Sequence, residues 1–345
     1  MSEQDAISVR FCTTPQMVAE LEPCWHDLLE ASGSRSVFLT WEWVDTWLRH
    51  YHARFDPFFL VAIDRGRPAG IVPIVRRTGT RERHEFLGQN RAFGEYLDFI
   101  VPAEEEPRVA AALAGELAAL CERGVIERMN LGVVRQTSPN LPVLLDAFQA
   151  RGLPLCMSAP RISPVVALPS SWDAYIQAKG RKLGKRIAYN RRRLESLGEV
   201  SLEIAGTPDE LHVFFDEFVE LHNARWQHQQ DQDFIAFHRE LAGRFLARDA
   251  LLMARLRVGG RTAAVKYDFI YDRRIWGYQG GWLPEMGRLE IGNVLICELF
   301  QHGIASGLEA YDFLEGDDWY KRRWSTAALH SVDLSFGEPG GAFVF

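Results

Sequence analysis

The amino-acid sequence predicts an α/β (α+β) protein of two tandem domains of similar architecture, each a mixed, mainly antiparallel sheet flanked by helices. Two segments of similar pattern carry this prediction: residues 58–75 (FFLVAIDRGRPAGIVPIV) and residues 252–270 (LMARLRVGGRTAAVKYDFI). Each consists of an apolar strand, a turn ending in Gly-Arg and a second strand, and glycine at such a turn suits a β-hairpin. Helix and strand patterns surround both hairpins, so we expect the two halves to share a fold.

Hydrophobic periodicity places the remaining elements. In chain order it predicts helix 107–121, strand 126–134, helix 139–150, helices 208–226 and 234–247, strand 274–279, helix 291–306, and strands 310–314 and 328–336. Between residues 154 and 169, prolines alternate with short strand-like pieces, which is typical of a boundary between closely packed domains. We therefore predict an N-terminal domain over residues 1–160 and a C-terminal domain over residues 161–345.

The composition is that of a globular protein and narrows the function classes. The 345 residues are 47% hydrophobic and 25% charged, and the formal net charge of -7 argues against a general nucleic-acid binder. The five cysteines show no metal-ligand spacing, so we expect reduced core residues and no metal. The acidic N-terminus lacks a signal-peptide core, and no stretch reaches the ~18 apolar residues of a membrane span. We expect a cytoplasmic protein without a membrane span.

A basic segment lies between the two predicted domains. Residues 179–197 (KGRKLGKRIAYNRRRLESL) carry an apolar stripe at helical spacing, and eight of the fifteen residues 179–193 are Lys or Arg. Two interpretations stay open. The basic face is either a solvated helix surface or an anion site for a cofactor phosphate, a nucleotide-linked substrate or RNA, with Lys182 and Arg186 among its cations.

Two further stretches concentrate chemistry in the second half. A loop with two glycines, residues 284–293 (PEMGRLEIGN), leads into the helix predicted from residue 291, and free N–H groups at such a helix start suit phosphate or pyrophosphate. Residues 307–324 (GLEAYDFLEGDDWYKRRW) form a strand followed by carboxylates, a tyrosine, a lysine and two tryptophans. Ligands bind where strand ends and loops converge. The chain lacks GxGxxG, GxxxxGK[ST], HExxH and GxSxG motifs, which argues against a dinucleotide site, a P-loop, a metalloprotease site and a nucleophile elbow.

The order strand, hairpin, strand, glycine-bearing loop, helix, strand resembles the core of the GNAT acyltransferases. The C-terminal pattern, from Gly292-Asn293 through 311–316 (YDFLEG) to 320–324 (YKRRW), resembles the BioF2-like, CelD/BcsL-type acetyltransferases, and the resemblance extends over residues 38–324. It implies two tandem GNAT-like domains, distantly similar to the FemABX peptidyltransferases, which use aminoacyl-tRNA. Two departures concern the loop: Ile291 stands where the family has proline, and Arg288 and Gly292 are one residue further apart than in the usual pyrophosphate loop.

The resemblance, together with the chemistry of acyl transfer, assigns candidate roles. The reaction needs a group that takes a proton from the acceptor amine, donors that stabilise an oxyanion, and an acid for the leaving group. The predicted catalytic residues are Asp312, Glu315 and Asp317 as bases, Tyr320 as acid and Lys321 as a charge clamp. The predicted donor-binding residues are Gly287, Arg288, Gly292 and Asn293. The predicted substrate-binding residues are Arg225, Trp226, Tyr267, Gln279, Lys182 and Arg186. Structural roles remain the alternative for each, such as turn formation by residues 315–317.

Three functions follow from these observations. The first is an N-acyltransferase that moves an acyl group from acetyl-CoA or another acyl-CoA to an amine of a small molecule or sugar nucleotide, in polysaccharide or envelope biosynthesis. The second is a FemABX-like transferase that uses aminoacyl-tRNA, which the basic helix favours and the acidic net charge opposes. The third is a non-catalytic binding protein of a polysaccharide-synthesis system.

Overall fold

The computed structural model describes residues 7–78, 83–227 and 230–337 of the chain. Their contacts divide the chain into two compact units. The first unit comprises Met1–Ile162 and Leu329–Phe345, and the second comprises Ser163–Ala328. Both units contain strands and helices, and the candidate site lies within the second.

The first unit begins with a three-stranded antiparallel sheet and a set of helices. Its elements are β1 (Ser8–Cys12), α1 (Pro15–Ala19), α2 (Glu22–Ala31), α3 (Trp41–Tyr51), β2 (Phe55–Pro57), β3 (Phe59–Asp64), β4 (Arg67–Val72), β5 (Ile74–Arg77), β6 (Arg83–Phe86), α4 (Glu106–Glu122), β7 (Met129–Arg135), α5 (Asn140–Gln149) and β8 (Cys156–Met157). Strands β1, β3 and β4 form the small sheet, and β2, β5, β6 and β7 form part of a second. Trp43 and Trp47, four residues apart on α3, are both fully buried.

The second unit forms a sheet that is antiparallel except for one strand pair. Its elements are β9 (Arg161–Ala167), α6 (Trp172–Lys179), α7 (Arg181–Glu195), β10 (Val200–Ile204), α8 (Pro208–Trp226), α9 (Gln232–Leu246), β11 (Leu251–Val258), β12 (Arg261–Tyr271), β13 (Arg274–Trp282), a 3-10 turn (Pro284–Leu289), α10 (Ile291–Ala305), β14 (Ala310–Asp312) and α11 (Trp319–Trp324). The strand order is β10-β11-β12-β13-β14-β9, with β13 and β14 parallel. The last strand, β15 (Ala327–Phe336), belongs to the first unit from Leu329 onward and pairs antiparallel with β7 and β8.

The predicted fold class is confirmed. Both predicted hairpins form, as β3–β4 and β11–β12, because each has a turn that its glycine or polar residues accommodate. Helix α8 has the predicted bounds, since Thr207 and Glu210 form a capping box at its start. The predicted strand 310–314 was too long: it ends at Asp312, whose carboxylate accepts a hydrogen bond from the Leu314 N–H while Leu314 turns to a φ of 58°.

The predicted basic helix is two helices. Gly180, at a φ of 101°, separates α6 from α7, and α7 ends at Glu195. The buried side of α7 carries Leu183, Ile187, Asn190 and Leu194, which is the stripe that the sequence predicts. Leu197 lies beyond the helix end and is exposed. Domain boundaries at residues 160 and 161 stay a prediction.

At Gly281 on β13 the sheet lies very close to the backbone of α8. A Cβ at this position would lie 2.3 Å from the backbone of Leu221 and His222. Because a backbone cannot move aside as a side-chain end can, we expect Gly281→Ala to lower the free energy of unfolding by about 1–3 kcal/mol. Urea unfolding measures this effect. Gly243→Ala, at a site with open space around the added Cβ, serves as the control, and equal stability of the two variants would contradict the expectation.

Candidate active site

A cleft of about 590 Å³ opens in the second unit where β13 and β14 separate. The two strands pair only from Arg274 with Ala310 to Trp276 with Asp312. Beyond that point β13 continues to Trp282 along the cleft. The walls come from α7, the end of α8, β12, β13, the start of α10 and the start of α11. A gap between diverging strands gives room for a ligand. A helix that starts beside the gap offers free backbone N–H groups to that ligand.

Of the fifteen predicted site residues, seven line this cleft and eight lie outside its lining. The lining residues are Gly287, Arg288, Gly292 and Asn293 from the predicted donor site, Arg186 and Arg225 from the predicted substrate site, and Tyr320 from the predicted catalytic set. The predicted residues outside the lining are Asp312, Glu315, Asp317, Lys321, Trp226, Tyr267, Gln279 and Lys182. The lining also includes residues that the sequence did not single out for this site: Lys266, Gly280, Gly281, Trp282, Glu290, Asp318 and Trp319.

Asp312 is fully buried and its carboxylate is already bonded on both oxygens. Arg274 Nη1 lies 2.8 Å from Oδ2, and the Leu314 N–H donates to Oδ1 at 2.9 Å. A carboxylate held in this way organises the turn after β14. Its contacts therefore favour a structural role, and its role as a base stays a prediction.

The neighbouring predicted catalytic residues also serve the turn between β14 and α11. Lys321 is 8% exposed and its Nζ donates to the Glu315 carbonyl at 2.6 Å. Asp317 is exposed and pairs with Arg322 at 2.9 Å. Gly316 has a φ of 128°, and a Cβ there would lie 2.8 Å from the Lys321 ammonium. The Lys321 ammonium therefore stabilises the turn between β14 and α11 by bonding its backbone. This turn sets where α11 begins.

Tyr320 and Arg225 both line the cleft. Arg225 lies near the end of α8, with its Cζ 3.4 Å from the Trp282 ring centroid and 4.3 Å from that of Trp226, and its Nη1 donates to the Gly280 carbonyl at 3.3 Å. Burial lowers the pKa of Arg225 to about 10, so it stays charged at neutral pH. Burial raises the pKa of Tyr320, while the charge and hydrogen bond of Arg225 oppose that rise. Tyr320 is therefore a neutral proton donor at neutral pH.

Glu290 occupies the start of α10, where the sequence predicts a phosphate site. It lies in the left-handed conformation at a φ of 52°, and Arg186 forms an ion pair with its carboxylate. Asn190 donates to Oε2 at 2.9 Å, Asn293 donates at 3.3 Å, and Arg323 lies 3.5 Å away. Burial alone would raise the pKa of Glu290, but Arg186, Arg323 and Asn293 outweigh burial and lower it. A carboxylate of the protein thus holds an anion position beside the cleft.

The predicted substrate residues outside the lining have other surroundings. Tyr267 is fully buried against Phe215 and Phe218 of α8, and its hydroxyl donates to the His238 carbonyl at 3.3 Å. Gln279 is half-buried opposite Tyr267. Lys182 is exposed on α7, and Trp226 is exposed beside Arg225. Their contacts support a core position for Tyr267 and leave the binding roles as predictions.

No three His, Cys, Asp or Glu side chains are grouped for a metal ion in the part of the chain that the structure describes. Within the same residues, no helix has the length and hydropathy to cross a membrane.

Comparison with a protein family identifies this unit. Residues 181–322 match the model of an acetyltransferase (GNAT) domain. The chain contains a GNAT-type acetyltransferase domain. It is an enzyme, a GNAT-type acyltransferase, and the matched residues include every residue that lines the cleft. No curated protein sequence matches the chain.

Solved structures share the fold over nearly the whole chain. FemX has a TM-score of 0.63 at 9% sequence identity, covering 95% of this chain and 96% of FemX. The structure of L-PGS from Bacillus licheniformis has a TM-score of 0.60 at 12% identity and covers 92% of each chain. A tandem GNAT protein from the clavulanic acid biosynthesis pathway has a TM-score of 0.54 at 11% identity, covering 97% of this chain and 100% of the other. These likenesses support the tandem GNAT-like fold.

Proposed function

We propose that this protein is an N-acyltransferase that transfers an acyl group from an acyl-CoA to the amine of a small molecule or sugar nucleotide. The observation that carries the proposal is the cleft in the GNAT domain, where the glycine-bearing loop and the start of α10 face Tyr320, Arg225 and Lys266. Membership of the BioF2-like, CelD/BcsL-type family, with a role in polysaccharide or envelope biosynthesis, is part of the proposal and rests on the C-terminal motif.

The lining residues supply the steps of acyl transfer. The amine attacks the acyl carbonyl, a carboxylate takes the amine proton, and the leaving thiolate receives a proton from an acid. Our candidate for that acid is Tyr320, which lines the cleft. Asp318, at the start of α11, is the carboxylate of the 315–318 turn that lines the cleft. Gly287 and Gly292 leave the loop open to a pantetheine or phosphate group.

Glu290 favours a second candidate, a FemABX-like transfer from aminoacyl-tRNA. The pyrophosphate of CoA binds as an anion at a helix start, and here a bonded carboxylate already lies at that position. FemX and L-PGS share the fold, and α7 presents an exposed basic face that suits a polyanion. The acceptor would then be the amine of a cell-wall precursor, as the FemABX resemblance implies.

Titration calorimetry with acetyl-CoA and a longer acyl-CoA tests the donor. Micromolar binding that is lost in Gly292→Pro, with the fold intact by circular dichroism, would support the CoA-dependent reaction. If the Glu290 carboxylate competes with the donor phosphate, Glu290→Gln will bind acyl-CoA roughly tenfold more tightly, because a charged hydrogen-bonded group at the anion position is removed.

Glu285→Gln is the matched control for that variant. Glu285 belongs to the same loop, pairs with Arg261 on the surface at 3.1 Å and does not line the cleft. Unchanged acyl-CoA affinity in both variants would contradict competition by Glu290. Absence of acyl-CoA binding in wild type and in Glu290→Gln, with tRNA binding at ~50 mM salt, would move the assignment to the tRNA-dependent candidate.

A further inference from the structure

A lysine and a buried aspartate lie on the floor of the cleft. Lys266 and Asp268 are both on β12, two residues apart, so their side chains leave the same face of the strand. Lys266 Nζ lies 3.0 Å from Asp268 Oδ1. The Lys266 side chain is 17% exposed and lines the cleft, whereas that of Asp268 has no exposed surface. The ion pair therefore runs from the cleft into the core.

The structure makes room for this pair with two glycines on the neighbouring strand. Gly280 pairs directly with Lys266, and a Cβ on Gly280 would lie 2.7 Å from the Val265 carbonyl oxygen and 2.8 Å from the Lys266 Cδ. A Cβ on Gly277 would lie 2.6 Å from the Tyr311 ring, and the Tyr311 hydroxyl reaches past it to donate to Asp268 Oδ2 at 2.8 Å. The absence of side chains at both positions lets Lys266 and Tyr311 reach their places.

Asp268 is fully bonded, which fixes its orientation. The Tyr278 N–H donates to Oδ1 at 2.9 Å, in addition to Lys266 and Tyr311. Burial raises the pKa of Asp268, and the Lys266 charge and these donors oppose the rise. Replacing a buried ion pair by apolar residues is often neutral or stabilising. The Lys266–Asp268 pair is therefore not needed for stability alone, and its presence points to a role in the cleft.

We propose that Lys266, oriented by Asp268, is the catalytic cation that binds the carbonyl oxygen of the acyl group as that oxygen becomes negative. This inference rests on the proposed acyl transfer and holds for a CoA thioester or a tRNA ester. Asp268 touches no substrate and is a positioning residue. Preorganised cationic donors at a developing oxyanion are among the strongest contributions to such reactions.

The step balances without a further reactant. The nitrogen lone pair forms the C–N bond and moves the carbonyl π pair onto oxygen, where the Lys266 ammonium donates a hydrogen bond. On collapse the oxygen pair restores the C=O bond, the bond to the leaving sulfur or oxygen breaks, and the leaving group takes a proton from Tyr320. The amine proton goes to a carboxylate and returns to Tyr320 through solvent. Lys266 keeps its proton throughout.

Steady-state kinetics of Lys266→Met tests the proposal. We expect kcat to fall by about 10²–10³ while KM changes less than threefold, because the hydrogen bond to the oxyanion exists only in the transition state. The control is Arg273→Met, which removes an exposed cation of the β12–β13 turn paired with Glu309 at 3.2 Å. A kcat within threefold of wild type, or a change confined to KM, would overturn the proposal.

Asp268→Asn distinguishes positioning from a purely structural contribution. Without the carboxylate, the Lys266 ammonium loses the partner that orients it, so we expect kcat to fall about tenfold or more while KM changes less than threefold. A purely structural loss would instead reduce the folded fraction and leave kcat per folded molecule at the wild-type value. That outcome would refute the role of Asp268.

A binding assay tests the Lys266 cation site without measuring catalytic turnover. Methylphosphonate, a tetrahedral anion, mimics the adduct, and we expect Lys266→Met to weaken its binding at least tenfold relative to wild type and Arg273→Met. The Lys266→Met/Asp268→Asn double variant removes both charges and serves if Lys266→Met alone unfolds. If wild type transfers no acyl group from any donor, the proposed function fails. Lys266-dependent phosphonate binding would then still support the cation site, and binding that is absent or independent of Lys266 would overturn it.

Discussion

Tyr320→Phe will lower kcat by roughly 10²–10³ and leave acyl-donor affinity unchanged. The phenol is the one neutral acid that lines the cleft beside Arg225 in the described part of the chain, and general acid catalysis typically contributes this factor. Burial raises the pKa of Tyr320, so the acid form persists across the neutral range and is lost only at a higher pH than in an exposed tyrosine, where the wild-type rate should fall. Steady-state kinetics from pH 6 to 10.5 measures both effects.

The control for Tyr320→Phe is Tyr189→Phe. Tyr189 is 55% exposed on α7, and the Arg193 guanidinium lies over its ring. Loss of a hydroxyl there should leave kcat unchanged. If Tyr320→Phe retains the wild-type kcat, water protonates the leaving group and Tyr320 only shapes the wall.

Asp312→Ala will destabilise the second unit by about 3 kcal/mol. The substitution leaves Arg274, whose side chain is 25% exposed, without its buried partner, and it removes the acceptor of the Leu314 N–H at the strained turn. Breaking a buried ion pair on one side costs this much because the remaining charge loses its compensation. Urea unfolding followed by tryptophan fluorescence gives the free energy.

Kinetics of the surviving folded fraction separates the two roles of Asp312. Asp312→Asn keeps the size of the side chain and one acceptor for the Leu314 N–H, so it should be less destabilising than Asp312→Ala. If Asp312 is structural, kcat per folded molecule stays near wild type in Asp312→Asn. A 10²-fold loss of kcat in a stable Asp312→Asn protein would instead establish the predicted catalytic base.

Local sequence patterns predicted the fold well because the start and the buried face of many elements depend on residues within the same element. The α8 helix starts at a capping box and keeps its apolar periodicity, so its bounds follow from the sequence. The glycine-bearing loop before α10 also follows from a local pattern, and all four predicted donor-binding residues line the cleft. These features depend on neighbours within a few residues, and sequence patterns report such neighbours directly.

The remaining lining residues depend on contacts between distant segments. Glu290 meets Arg186 across 104 positions of chain, and no local pattern announces that a loop carboxylate will occupy the anion position. Asp318 lines the cleft, whereas its neighbour Asp317 pairs with Arg322. Adjacent side chains in a turn point in different directions, and the sequence does not show which of them enters the cleft. Lys266 did leave a trace, since it is one of only five lysines and lies alone in a strand. The sequence could not show that Gly280 would make room for it.

The three glycines of β13 restrict how this protein can change in evolution. Each missing side chain leaves space for different neighbours: the Tyr311 ring at Gly277, the Val265 carbonyl oxygen and the Lys266 stem at Gly280, and the α8 backbone at Gly281. A larger residue at 277 is therefore acceptable together with a smaller one at 311. At 280 a smaller residue at 266 would not be enough, because an added Cβ would still lie 2.7 Å from the Val265 backbone oxygen. Gly277 is thus open to paired replacement and Gly280 is not, so the two positions should diverge at different rates.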